Sequence, residues 1–119
     1  MNNQTTGRYG EERALDLLIE RGMSLIERNL RHGRNEVDLV VRDGPTLVFV
    51  EVKTRHPAAD DRLDLLVSRA QQNRIARVAR WYIESVGHAG SVRFDVVLIM
   101  RTDGREITRH VADAFFPIG

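Results

Sequence analysis

Hydrophobic positions along this chain change their period several times, and each change marks an element. Over residues 8–21, "RYGEERALDLLIER", Ala14, Leu15 and Leu18 return at three- and four-residue steps, the repeat of one helix face. Thr6 stands where a helix would be capped and Gly22 where it would end. Glu12, Asp16 and Glu20 lie four apart and form an outer, solvated stripe. Glu11 falls elsewhere: three and four residues ahead of Ala14 and Leu15, it heads the inward stripe. An inward carboxylate needs a partner or a cation. The plainer alternative is a first-turn glutamate favoured by the helix dipole.

The period then shortens. Residues 23–31 alternate weakly and predict a short strand, with "HGRN" as a turn; residues 36–41, "EVDLVV", predict a second strand. "RDGPT" joins Asp-Gly to Pro, a strong turn signal. Residues 47–53, "LVFVEVK", are almost continuously apolar, as in a strand covered on both faces. "HPAADDRLD" shows no period and reads as a polar loop.

Residues 66–86 return to the helical period, with Ile75, Val78, Ala79, Tyr82, Ile83 and Val86 inward and Asn73, Arg77, Arg80 and Glu84 outward. Residues 92–100 predict a long strand, "TDGR" a hairpin turn, and "EITRHV" an edge strand returning beside it. The order is α-β-β-β-α-β-β, without repeats or linkers. One α/β domain over residues 1–119 is the expectation.

Composition narrows the chemistry. The chain has no cysteine, which removes disulfides, thiolate zinc sites and cysteine nucleophiles. No apolar run reaches the roughly 20 residues of a membrane span, and "MNNQTTGRYG" lacks a signal pattern. The expected location is the cytoplasm. A formal charge of +1 announces no general affinity for nucleic acid. The cations, however, are seventeen arginines and a single lysine, Lys53. The bias reads as base composition, so the one exception draws attention to its position.

Lys53 and Glu51 share one face of their strand because side chains alternate. The turn before that strand decides whether Asp38 joins them. A two-residue loop at Asp43-Gly44 sets Asp38 opposite Phe49 and diagonal to Glu51; a four-residue loop, Asp43 to Thr46, sets it directly opposite Glu51. Both registers give one shared face, whereas a three-residue loop would separate them. Paired carboxylates repel unless they share a proton, pair with the ammonium or bind a cation. Oxygen-only ligands suit Mg²⁺ or Mn²⁺, which can activate water at a phosphodiester, while a lysine stabilises developing negative charge. Arg93 and Asp95 share a face of the later strand and read as a structural pair, and Glu36 as an edge salt bridge. The four histidines fall in or near loops without metal-ligand spacing and receive no role; the direction of Trp81 is open.

These segments resemble the YraN family, small bacterial proteins of the restriction-endonuclease-like PD-(D/E)xK superfamily. The resemblance runs from about Gly7 to Ile99 and is carried by "GRYGEERA", "RNLR", "NEVDLV", "LVFVEVKTR" and "RFDVV". It implies a mixed β-sheet flanked by helices, laid out as in Holliday-junction resolvases, and a nuclease acting on DNA, including branched or damaged structures. It implies catalytic roles for Asp38, Glu51, Lys53 and Glu11, and a Mg²⁺ or Mn²⁺ site at Glu11, Asp38, Glu51 and Val52. Substrate contacts are expected at Gln71, Arg55, Arg69 and Arg74, and a homodimer is implied by analogy. Three positions depart from the family pattern. Asn35 replaces a glycine, Gln71 replaces a lysine near the start of the second helix, and the loop 57–64 lacks a Phe-Gly pair. The second departure supports an alternative: a catalytically silent nucleic-acid-binding or scaffold protein that keeps the fold.

Overall fold

A computed structural model describes residues 3–55 and 67–116, with side chains from Arg8 onward. Its elements are α1 (Asn3–Glu20), β1 (Ser24–His32), β2 (Asn35–Asp43), β3 (Thr46–Arg55), α2 (Arg69–Val86), β4 (Val92–Thr102) and β5 (Arg105–Val111). The expected α/β order is therefore the observed one. Helix α1 begins earlier than its apolar stripe suggests, so Thr6 lies inside it rather than at its cap. The polar loop 56–64, with His56, falls outside the described residues, as does the expected helical residue at 66.

The strands form one sheet in the order β1-β2-β3-β4-β5. Only β3 and β4 run parallel, joined through α2; the other neighbours are antiparallel. Short turns set these hairpins. Asp103 and Gly104 both take positive φ, 41° and 78°, as a two-residue turn matching strand twist requires. Strand β3 is central, and its run from Leu47 to Glu51 is buried. The near-continuous apolar sequence thus has its reason in two covered faces.

Helix α1 covers one face, where Ala14, Leu15 and Leu18 meet Leu39, Val41, Val48, Val50, Val97 and Ile99. Helix α2 covers the other, where Ile75, Val78, Ala79 and Tyr82 meet Val40, Leu47, Phe49 and Val96. Phe49 lies edge-on to Tyr82 at 6.2 Å and stacks on Phe94 at 5.6 Å; truncating such a residue costs about 3–5 kcal/mol. Val86, expected inward, is 54% exposed, because α2 ends there and Gly87 turns away in the left-handed region. Helix α2 starts at a cap that the apolar pattern does not reveal: Ser68 Oγ accepts from Gln71 N.

Candidate active site

On the sheet face that meets the start of α2, Glu51 and Lys53 interrupt the apolar residues of β3. Observed pairing joins Arg42 to Leu47 and Leu39 to Val50, the second of the two registers open from sequence. Asp38 and Glu51 then stand opposite each other one step beyond the last pair. There the ladder gives way: the Asp38 carboxylate accepts from the Val52 backbone N–H at 2.7 Å. On its other side, β1 and β2 pair at Arg28–Leu39 and Leu30–Val37, and skip Asn29 and Asp38 between. Asn29 has φ 49°, a left-handed conformation that Asn tolerates better than most residues. Asp38 thus sits where the sheet opens on both sides.

Gln71 completes this group. Its amide nitrogen donates to Glu51 Oε2 at 2.5 Å, and its amide oxygen accepts from Lys53 Nζ at 3.0 Å. Lys53 Nζ lies 3.9 Å from Glu51 Oε2. In a Ser-x-x-Gln capping box the glutamine would reach back to its own helix start. Here only the serine half forms, and the glutamine turns to the sheet. A neutral amide therefore bridges the Glu51 carboxyl and the Lys53 ammonium.

Burial pushes the Glu51 carboxyl up to about 9, helped by the hydrogen bond and the charge of Asp38; Lys53 and Gln71 pull the other way and lose. Glu11 is also raised, first by burial and then by Asp38, with Glu36 adding and Asn29 and Arg28 opposing. Asp38 lies between these two acids, sensed by both. Helix α1 comes close enough for this at Gly10, where an added Cβ would lie 3.0 Å from Thr54 Oγ1. The Asn29 amide, oriented to satisfy both acceptors, donates at 3.0 Å to Glu11 Oε1 and to Glu36 Oε1. Asn29 and Glu36 thus belong to the site's margin. The sequence signal for Asn29 was an asparagine inside a strand, a position that disfavours it.

Glu11 opens on a cleft of about 640 Å³, lined also by Arg8, Glu12, Arg28, Asn29, Arg31 and Glu36. Glu12 ion-pairs with Arg28 there, so it is not the bystander that the outer stripe suggested. Of the other expected contacts, Arg55 ends β3 and its guanidinium donates to Thr54 O. Arg69 opens α2 and Arg74 follows on its exposed surface.

Among the described residues no three carboxylate or imidazole groups converge tightly enough to hold an ion by themselves. The donor chemistry nevertheless fits a hard cation. Asp38 and Glu51 offer oxygens side by side, Glu11 approaches Asp38 from α1, and both glutamates are raised in pKa by burial first and then by Asp38. At the same place the Val52 backbone N–H donates to Asp38.

A five-stranded mixed sheet between two helices, with an acid pair and a lysine where it opens, defines the class of protein. The chain belongs to the family described as "Uncharacterised protein family UPF0102", also known as the YraN family, whose profile matches residues 10–99. It is similar to a UPF0102 protein of Beutenbergia cavernae, 47% identical over 97 residues, covering 81% of this chain and 82% of the relative. A UPF0102 protein of Rhodococcus opacus is 43% identical over 116 residues, covering 96% and 98%. One from Desulfosudis oleivorans is 37% identical, covering 93% and 92%. The matched span includes Gly10, Glu11, Asp38, Glu51, Lys53 and Gln71. No helix among the described residues is long and apolar enough to cross a membrane.

Proposed function

We propose that this chain is a metal-dependent nuclease of the cytoplasm that hydrolyses phosphodiester bonds in DNA. The observation carrying this reading is the pairing of half-buried Asp38 with buried Glu51 on adjacent strands, with Lys53 Nζ 3.9 Å from Glu51. Asp38 and Glu51, with Glu11 and the Val52 backbone, would hold Mg²⁺ or Mn²⁺, which supplies an activated water and charge stabilisation at phosphate. Lys53 is held by Gln71 and keeps an unquenched ammonium for a phosphate oxygen. A homodimer would bring two such sites to two strands.

Gln71 supports a second reading. Its amide nitrogen takes Glu51 Oε2, an oxygen that a cation would use, so the fold could serve a nucleic-acid-binding scaffold without turnover. Two experiments separate the readings. Calorimetric titration with Mn²⁺ is expected to show binding that Asp38→Asn weakens at least tenfold. A screen with Mg²⁺ and Mn²⁺ over single-stranded, duplex, flapped and four-way DNA is expected to find a cleaved substrate. Equal Mn²⁺ affinity in the two proteins removes the metal site; binding of DNA without cleavage in any form selects the scaffold.

A further inference from the structure

A second cleft of about 520 Å³ lies on the α2 side of the β1–β2 hairpin, lined by His32, Gly33, Asn35, Arg77, Arg80, Trp81 and Glu84. The site described above makes no use of it. Its floor is aromatic: the rings of His32 and Trp81 stack at 4.5 Å, only 12° from parallel. Trp81, the only tryptophan in the chain, keeps 37% of its surface exposed. A stack tying a hairpin to a helix would be served by an aliphatic contact; a large, half-open aromatic pair beside arginines offers more.

The surroundings say what it offers it to. Arg74, Arg77 and Trp81 follow at three- and four-residue steps along α2 and are exposed, so they form one stripe. Among the described residues neither Arg74 nor Arg77 has a carboxylate partner. The stripe starts one turn beyond Gln71, which touches Glu51 and Lys53. From Gln71 to Trp81 the helix rises about 15 Å, the reach of two or three nucleotides. A phosphate-seeking row ending at a stacking platform is the chemistry that binds single strands: cations follow the backbone, and rings take a base by its π-face.

We propose that the His32–Trp81 pair receives an unpaired base of a single-stranded segment, with its phosphates on Arg77 and Arg74. This rests on the nuclease reading above and deepens it. The substrate class becomes DNA carrying a single-stranded arm, with the arm laid along α2 away from the carboxylates. Intact duplex, whose bases are stacked on each other, cannot use the platform.

Trp81 reports on its own occupancy. Short oligothymidylate, titrated without divalent cation, is expected to quench the tryptophan fluorescence of the wild-type protein saturably, in step with the anisotropy of a labelled strand. Trp81→Leu, with its fold checked by circular dichroism, is expected to bind that strand roughly ten- to a hundredfold more weakly. Trp81→Phe should keep most of the affinity, and Arg77→Ala should lessen the salt slope by about 0.7. Binding of the strand with fluorescence unchanged, undiminished binding by folded Trp81→Leu, or no binding at all overturns the proposal. So does a change in fluorescence with protein concentration alone, which would make this face a contact between two copies. Cleavage is scored separately. Quenching without cleavage defeats the nuclease reading and leaves the platform, whereas cleavage unaltered by Trp81→Leu defeats the platform and leaves the nuclease.

Discussion

Two buried acids occupy neighbouring strands of this sheet, on opposite faces, and behave in opposite ways. Strand pairing sets Val50 beside Asp95 and Glu51 beside Val96, so Glu51 and Asp95 are one step apart on neighbouring strands. Both are buried, at 6% and 0% exposure. Asp95 accepts from Arg93 Nε and NH2 at 2.9 and 3.0 Å, from His110 Nε2 at 2.7 Å and from the Asp113 backbone at 2.9 Å. The donors are themselves held: Arg93 NH1 donates to Asp43 at 2.9 Å, and Arg21 NH1 meets His110 Nδ1 at 2.8 Å. A guanidinium only donates, so Nδ1 accepts and Nε2 carries the hydrogen given to Asp95. Burial pushes Asp95 up, but the bonds from His110, Arg93 and Asp113 outweigh it and leave it below the usual range. Glu51 has one amide donor, an ammonium at 3.9 Å and a second acid beside it, and it is raised. Burial is thus common to both, and the count of donors decides. A fully satisfied acid is a structural tie; an under-satisfied one keeps capacity for something not yet bound.

The sharpest way to break this comparison is to remove the tie. Asp95→Ala leaves Arg93 and His110 without their acceptor in the interior, and losing one partner of such a group costs about 3–5 kcal/mol. Urea denaturation at neutral pH is expected to show a loss of that order, while Asp38→Asn costs almost nothing by the same measure. A loss under about 1 kcal/mol for Asp95→Ala would mean that Asp95 is no more structural than Glu51.

The contrast also shows what sequence could tell. Asp38, Glu51 and Lys53 were legible as neighbours because side chains alternate along β3 and the Asp-Gly-Pro turn allowed only a few registers. The Arg93–Asp95 pair was legible for the same reason. His110 was not. It lies within β5 rather than in a loop, and His32 ends β1; a short edge strand with polar alternation carries little signal. Its partners Arg21 and Asp95 come from distant segments, which spacing cannot join. Gln71 was expected as a substrate contact, but its choice of Glu51 over its own helix start depended on a charge pair across the fold. Asn29 marks the general limit. Its left-handed backbone breaks a strand locally, and the reason, an opening beside Asp38, exists only once the sheet has formed.

Within the under-satisfied site, Lys53 sharpens the comparison through geometry at constant charge. Its side chain is 14% exposed and fits between Gln71 Oε1 and Glu51 Oε2. A guanidinium is planar and wider, and would form a bidentate pair with Glu51 or Asp38, turning the site into a second satisfied tie. Lys53→Arg follows the chain's own arginine bias, so the fold should persist. Single-turnover cleavage of a substrate found in the screen is expected to fall about a hundredfold, the scale of one preorganised charge contact. A wild-type rate would assign Lys53 a structural role only.

The smallest effect tests the two acids against each other by pH. Glu51 titrates near 9 in the folded chain against 4.5 ordinarily. Between those values the folded state keeps a proton that the unfolded state has released, so Glu51 makes stability fall as pH rises. Asp95 is held low; its contribution is present above the ordinary aspartate range and is lost as pH falls into acid. The two acids therefore give slopes of opposite sign. Glu51→Gln can still accept from Gln71 and can donate to Asp38, and it cannot ionise. From about pH 6 to about pH 8.5 the wild type is expected to lose stability while Glu51→Gln stays nearly level. The variant should lead by ~1–2 kcal/mol at the alkaline end. Mg²⁺ should close part of that gap by stabilising the wild type alone, since a cation supplies the charge that Glu51 lacks. Parallel curves for the two proteins, or a wild-type curve that rises over this range, would show that Glu51 is as well satisfied as Asp95.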